Sequence, residues 1–214
     1  SFKEKDVCLL HGVTSSGKTE IYIKLIEKEI KKGKQVLYLL PEIALTIQIV
    51  RRLQKHFGDK VGVFHSNLNN SERVEVWNSV SDNCSVLLGV RSSVFLPFKN
   101  LGLVIIDEEH DSSYKQQQPS PRYHARDSAI YLASLYNAKV LLGSATPAIE
   151  SYYNAMQGKF GLVKLSKRYS NIKLPKVESI DLKKGYLKKE MNGFFSKRLI
   201  NEISSQLEKN KQII

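Results

Sequence analysis

Cysteine is scarce in this sequence: Cys8 and Cys84 are the two among 214 residues, and each lies inside an apolar run. Two isolated cysteines make neither a metal cluster nor a disulfide framework, and their settings read as buried strands holding structural thiols. No apolar run reaches the roughly 18 residues that a membrane-spanning helix needs. The opening Ser1-Phe2-Lys3-Glu4-Lys5-Asp6 does not begin the sequence of positively charged segment, apolar segment and small-residue cleavage site that makes a secretory signal. Internal repeats and low-complexity tracts are missing too. These absences point to a soluble, cytoplasmic protein with no membrane partner. Hydrophobic residues make up 42% of the chain, enough for one ordinary core plus a tail or partial second unit.

Acidic residues are in deficit, and the net charge is +12. From Lys159 onward there are 14 Lys and Arg against 5 Asp and Glu, while the first 158 residues hold 19 against 16. The basic excess therefore sits in the last quarter. Two readings fit it: contact with a polyanion such as nucleic acid, or a solvated, flexible surface segment.

Short β-branched runs alternate with helix-length segments over about the first 165 residues, which calls for a parallel sheet flanked by helices. The strand candidates are Val7 to His11, Gln35 to Leu40, Val61 to Phe64, Ser85 to Gly89, Leu103 to Ile106 and Lys139 to Leu142. They are nearly continuous apolar runs, as expected of strands buried on both faces. Helices are predicted over Lys18 to Lys32, Ala44 to Phe57, Ser71 to Ser79, Ala125 to Tyr136 and Ile149 to Met156. After about Ser166 the alternation fades into a Lys-rich stretch with Pro175, then one amphipathic helix over Ser196 to Lys209. The closing Gln212-Ile213-Ile214 reads like a strand cut short, so the chain is expected to be a piece of a longer protein.

Gly12-Val13-Thr14-Ser15-Ser16-Gly17-Lys18-Thr19 fits G-x-x-x-x-G-K-[ST] and stands between a predicted strand and a predicted helix, the context that motif requires. Glycines let backbone wrap phosphates, and N–H groups at a helix start bind anions. Lys18 is the candidate cation for the β- and γ-phosphates of ATP, and the Thr19 hydroxyl a candidate Mg²⁺ ligand.

Downstream, the apolar run 103–106 ends in Asp107-Glu108-Glu109-His110. Phosphoryl-transfer enzymes need an acid there to hold Mg²⁺ and a second group for the attacking water. Asp107 is the metal-side candidate and Glu108 the water-activating one. An acidic cluster at a strand end is also a common helix start, where the dipole favours carboxylates. The phosphate loop about 90 residues upstream favours the catalytic reading.

These motifs carry a family resemblance. Asp107-Glu108-Glu109-His110 looks like motif II of superfamily 2 helicases, and Gly143-Ser144-Ala145-Thr146-Pro147 like their motif III. The stretch 40–46, His65-Ser66 with Glu72-Arg73 and Trp77, the stretch 89–98, the run Asp107 to Gln117, and Pro121 to Asp127 narrow it further. Over nearly the whole chain they resemble the PriA (primosomal protein N-prime) family of bacterial replication-restart helicases. That resemblance implies an α/β, RecA-like P-loop NTPase lobe, with a mainly parallel sheet and helices on both faces. It implies an ATP-dependent 3′-to-5′ helicase or translocase acting on single-stranded and forked DNA in primosome assembly. Its implied partners are replication-restart and helicase-loading proteins and single-stranded DNA-binding protein.

For individual residues, the resemblance makes His110 the link between metal site and motif III, with Ser144 and Thr146 as coupling residues. An ordinary strand-to-helix turn with capping hydroxyls is the alternative for those two. Tyr114, Lys115, Arg122 and Tyr123 fall in an aromatic-rich loop expected to sense single-stranded DNA, a mixture suited to stacking bases and pairing with phosphates. An incidental surface loop is the alternative. Arg91 belongs by family position on the DNA path, or else in a surface salt bridge.

Two rivals remain: another superfamily 2 translocase, such as a restriction-enzyme motor or RNA helicase, and a non-catalytic platform that docks DNA or partners. The sequence also departs from the family pattern. Ser15 stands where the family commonly has glycine. The family's fork-binding region, adenine-contacting segment, second RecA-like lobe with its arginine finger and cysteine-rich zinc insertion are not expected within these residues, and no zinc ligands are expected here. Residues 1–165 are read as the first lobe and 166–214 as a basic linker with the start of an incomplete second lobe. Alone, the segment is expected to bind nucleotide weakly and hydrolyse it poorly.

Overall fold

The computed structural model describes residue 2 and residues 4–41, 47–168 and 177–213. Residues 44–46 of the predicted second helix, most of the 40–46 stretch and Pro175 lie outside these. The chain divides into two compact units, Ser1–Ile172 and Lys173–Ile214.

The first unit is built on seven strands: β1 (Val7–Gly12), β2 (Gln35–Leu39), β3 (Val61–Phe64), β4 (Val86–Gly89), β5 (Leu101–Asp107), β6 (Lys139–Ser144) and β7 (Gly161–Leu165). They run parallel in the order β3-β4-β2-β5-β6-β1-β7. Parallel neighbours require crossovers, here made by α1 (Lys18–Ile30), α2 (Ile47–Phe57), α3 (Asn70–Asp82), α4 (Ala125–Leu135) and α5 (Ile149–Met156).

Successive side chains on each strand feed opposite cores. Leu9, Leu37, Leu39, Val104, Ile106, Val140 and Leu142 pack with Val80 of α3, three alanines of α4 and Ala155 of α5. Cys8, Val36, Tyr38, Leu103, Ile105 and Leu141 face the other way, against Tyr22, Ile23 and Ile26 of α1 and Leu53 of α2. The expected α/β lobe with a parallel sheet and helices on both faces is thus the observed one, and both cysteines are buried thiols.

Strand β7 is a finding beyond the predicted set. Like β3 it is an edge strand, half-covered along most of its length, and unlike β3 it has a lysine, Lys164, interrupting its apolar run. Because all seven strands point the same way, their C-terminal ends share one sheet edge, where open α/β sheets bind ligands. Gly12, Gly89, Asp107 and Ser144 all end strands there.

The second unit holds a short helix α6 (Leu182–Leu187), a two-residue hairpin β8 (Met191–Asn192) and β9 (Phe195–Ser196), and α7 (Lys197–Glu208). The Ser196 hydroxyl caps α7 by accepting from the Leu199 N–H at 3.1 Å. Of these elements, α7 is the one the sequence pattern predicts. No helix among the described residues is long and apolar enough to cross a membrane.

Candidate functional site

Between β1 and α1 the chain makes a tight cradle. The Ser16 N–H donates to the Val13 carbonyl at 3.0 Å, and the Val13 N–H to Leu165 of β7 at 3.2 Å, so the edge strand anchors the loop. Ser15 and Gly17 both sit in the left-handed region, at φ 62° and 87°. Gly17 accepts that conformation freely, whereas serine is strained in it. Gly12 is required for another reason: a Cβ there would lie 2.7 Å from Ser16 Oγ and 3.2 Å from Lys18 Cγ.

Lys18 Nζ folds back to donate to the Gly12 carbonyl at 2.9 Å and stands 4.0 Å from Glu108 Oε1. Ser16 Oγ is buried with no partner among the described residues, and α1 starts with no side-chain cap. Uncapped N–H groups, a buried hydroxyl and a lysine make a donor set that fits an anion such as a nucleotide's phosphates.

Across a cleft of about 740 Å³ from this loop lie Asp107 and Glu108. Alternation along β5 turns Asp107 to the same side as Ile105, the side of Tyr22 and Tyr38. Tyr22 Oη donates to Asp107 Oδ1 at 2.9 Å and Tyr38 Oη to Oδ2 at 3.3 Å. Burial pushes the Asp107 carboxyl above its ordinary range, opposed by Tyr22, Lys18, the Glu108 N–H and Tyr38. The phenols are themselves pushed up, first by burial and then by Asp107, so they remain donors. Glu108 takes φ 46°, a strained conformation for a residue with a side chain and one that recurs at functional positions. The cleft's mouth carries an ion pair between Arg52 of α2 and Glu20 of α1. Thr19 and Asp107 both line the cleft, an oxygen donor set that suits Mg²⁺.

His110 bridges to β6. Its Nδ1 is 2.8 Å from Ser144 Oγ and its Nε2 is 3.3 Å from Thr146 Oγ1, while the Thr146 N–H donates to Ser144 Oγ at 2.9 Å. The three residues singled out as coupling candidates therefore meet in one hydrogen-bonded cluster.

The aromatic-rich loop is ordered by its own contacts. Arg91 Nη1 donates to the carbonyls of Ser113 and Lys115 at 3.2 and 3.1 Å, rather than to a carboxylate. Lys115 Nζ donates to the Arg122 carbonyl at 2.6 Å, and the Tyr123 ring packs edge-on against Phe95 with centroids 4.8 Å apart. Arg122 is exposed and Tyr123 half-buried. Tyr114 departs from expectation. It is fully buried, and its hydroxyl donates to the Asp107 carbonyl at 2.7 Å, so here it offers no face to a base. A turn closed by the Asp111 N–H on the Glu108 carbonyl at 2.8 Å, followed by a single 3-10 turn over Ser112–Tyr114, brings Tyr114 into the core.

The model of the DEAD/DEAH box helicase family matches residues 1–155. The chain belongs to that family. Among curated proteins it is similar to replication restart protein PriA of Haemophilus influenzae, 49% identical over 210 residues that make up 98% of this chain and 28% of that protein. It is also similar to the protein of the same name from Chlamydia trachomatis, 47% identical over 208 residues, 97% of this chain and again 28% of the relative. The chain thus spans under a third of these relatives, and the resemblance to the PriA family is borne out over nearly all of it. Among solved structures it is similar to RecG bound to a three-way DNA junction, with a TM-score of 0.55 and 24% identity over 78% of this chain and 21% of that one, a likeness of fold.

Several residues of this helicase lobe's site escaped the sequence reading. Tyr22 lies one helical turn after Lys18, a spacing that could have flagged it, but Tyr38 sits in an apolar run and reads as core. Glu109, taken as one more acid of the cluster, is fully buried. Its Oε2 accepts from Arg126 Nη1 at 3.1 Å and Ser151 Oγ at 2.7 Å, and its Oε1 accepts from the Ala148 N–H at 2.7 Å. That carboxylate ties motif II to α4 and to the start of α5.

Proposed function

We propose that this chain is the first RecA-like lobe, over residues 1–165, of a longer cytoplasmic DNA helicase of replication restart. The basic segment 166–214 would lead into a second lobe. The observation that carries the reading is the meeting of three motifs at one sheet edge: Lys18 Nζ lies 4.0 Å from Glu108 Oε1, beside Asp107, with His110 bonded to Ser144. Relatives bearing the name replication restart protein support the process, and the helicase family supports the motor.

In this reading the backbone of Gly12, Val13, Thr14, Ser15, Ser16 and Gly17 cradles the phosphates of ATP, and Lys18 neutralises charge on them. Thr19 and Asp107 hold Mg²⁺, which when bound supplies further charge stabilisation. Glu108 orients the attacking water and takes its proton. His110, Ser144 and Thr146 pass the nucleotide state toward the DNA-facing edge, where Arg91, Lys115, Arg122 and Tyr123 meet the strand. Tyr114 serves the same loop from inside, through the Asp107 carbonyl. Movement is 3′ to 5′ on single-stranded DNA, at forks, with helicase-loading proteins and single-stranded DNA-binding protein as partners.

The test is nucleotide hydrolysis by the full-length protein with and without single-stranded DNA, forked DNA and RNA. DNA, and not RNA, should stimulate turnover. Glu108→Gln should lower turnover by about 10²–10⁴-fold while nucleotide still binds. Stimulation by RNA would favour a different translocase, and indifference to Glu108→Gln a non-catalytic platform.

A further inference from the structure

The Asp107 carboxylate is held by more side chains than catalysis by an acid alone requires. Its Oδ1 accepts from Tyr22 Oη at 2.9 Å and from the Glu108 N–H at 3.1 Å, which uses both lone-pair directions of that oxygen. Its Oδ2 has a single weaker donor among the described residues, Tyr38 Oη at 3.3 Å. Tyr22 comes from α1, Tyr38 from β2 and Asp107 from β5, so three elements converge on one group. The two rings brace each other edge-on, 5.5 Å between centroids, and both side chains are fully buried.

Gly143 of β6 completes the arrangement. It stands directly opposite Asp107 in the sheet, and a Cβ built there would lie 1.8 Å from Tyr22 Oη. Any side chain at 143 would push the phenol off the carboxylate. Packing alone would be served as well by phenylalanine at 22 and 38. A buried hydroxyl is unfavourable unless it is bonded, and both hydroxyls here are bonded to the same acid.

We propose that Tyr22 and Tyr38 are positioning residues for the divalent cation: together they fix the Asp107 carboxylate so that Oδ2 is the oxygen offered to the ion, with Gly143 keeping room for the Tyr22 hydroxyl. This rests on the reading of Asp107 as the Mg²⁺-holding residue. Groups that orient a metal ligand from behind matter to affinity by about 10–100-fold in metalloproteins generally. Tyr22 should matter more than Tyr38, because its bond is the shorter.

The experiment titrates Mg²⁺ into the full-length protein bound to a fluorescent nucleoside diphosphate, and repeats the binding in EDTA, for wild type, Tyr22→Phe, Tyr38→Phe and Gly143→Ala. The half-saturating Mg²⁺ concentration should rise about tenfold in Tyr22→Phe and in Gly143→Ala, and less in Tyr38→Phe, while metal-free nucleotide affinity stays at the wild-type value. Gly143→Ala leaves both phenols in the chain, so agreement between it and Tyr22→Phe separates orientation from simple loss of a group. If Tyr22→Phe fails to fold, the other two variants decide.

Unchanged Mg²⁺ dependence in the variants would overturn the proposal, as would equal losses with and without metal, which mark a purely structural role. A wild type whose nucleotide binding ignores Mg²⁺ would sink the reading of the site itself, and the proposal with it.

Discussion

The phosphate loop bends through Ser15 at φ 62° and Gly17 at φ 87° and leaves Ser16 Oγ buried with no partner among the described residues, whereas the end of β5 ties down Asp107 and Glu109. Both oxygens of Asp107 and both of Glu109 accept hydrogen bonds from residues on other elements or from the adjacent backbone. One wall of the cleft thus carries a buried hydroxyl with no partner among the described residues, and on the other two carboxylates are already tied in place. That asymmetry has physical sense. In the proposed function, phosphates would satisfy the loop on binding, whereas a carboxylate that is to hold a metal would need orienting beforehand, since reorganising it during reaction raises the barrier.

The largest expected effect comes from breaking the assembled wall at its deepest point. Glu109 is fully buried, and the Arg126 side chain, 11% exposed, is its charged partner at 3.1 Å. Replacing Arg126 with methionine would leave an uncompensated buried carboxylate, which generally costs about 3–5 kcal/mol. Urea denaturation should show the midpoint falling accordingly. A shift below about 1 kcal/mol would mean that Ser151 and the Ala148 N–H suffice to hold Glu109, and that the wall is less dependent on charge than the geometry suggests.

The opposite wall should respond in the opposite direction. Ser15 in the left-handed region is strained by about 1–2 kcal/mol, while glycine's extra freedom in the unfolded chain offsets roughly 0.5–1 kcal/mol of the relief. Ser15→Gly should therefore stabilise the lobe slightly, by between about 0 and 1.5 kcal/mol, with nucleotide binding preserved. A lower melting temperature would show that the serine hydroxyl holds the loop in a way its backbone angles do not reveal.

The two walls were unequally legible in the sequence. The phosphate loop is contiguous, so Gly12 to Thr19 could be read directly, and strands β1 to β6 announced themselves as apolar runs. Asp107 and Glu108 were also visible, at the end of such a run. What holds the acids was less so: the spacing of Tyr22 from Lys18 hints at the site, but its pairing with Asp107 spans 85 residues, that of Tyr38 spans 69, and Arg126 is 17 residues from Glu109, separations that no local pattern encodes. Tyr114 was misread for the same reason. In sequence it is an aromatic residue in a polar loop, and its fate was settled by the turn at Glu108–Asp111 and the 3-10 turn after it, which bury it with its hydroxyl on the Asp107 carbonyl. Strand β7 escaped because an edge position permits Lys164 to interrupt the apolar run.

The assembled wall also has a pH-sensitive flank, where the smallest effect is expected. His124 caps α4, its Nδ1 accepting from the Arg126 N–H at 3.3 Å, and protonation would abolish that acceptor. Burial first, and then Arg126, push its pKa below the ordinary 6.5; Lys115 adds to this, while Asp127 and Glu109 pull the other way. The unfolded chain consequently takes up the proton at a higher pH than the folded one. The cap's stabilisation is therefore complete above about pH 6.5 and is lost progressively as the pH falls below it. Asparagine at this position keeps a capping oxygen and cannot titrate. Melting temperatures measured from pH 7.5 down to 5 should thus fall less steeply for His124→Asn than for the wild type. Parallel curves would place the acid sensitivity elsewhere, and would make the α4 cap, unlike the Glu109–Arg126 pair it adjoins, a feature of shape rather than of charge.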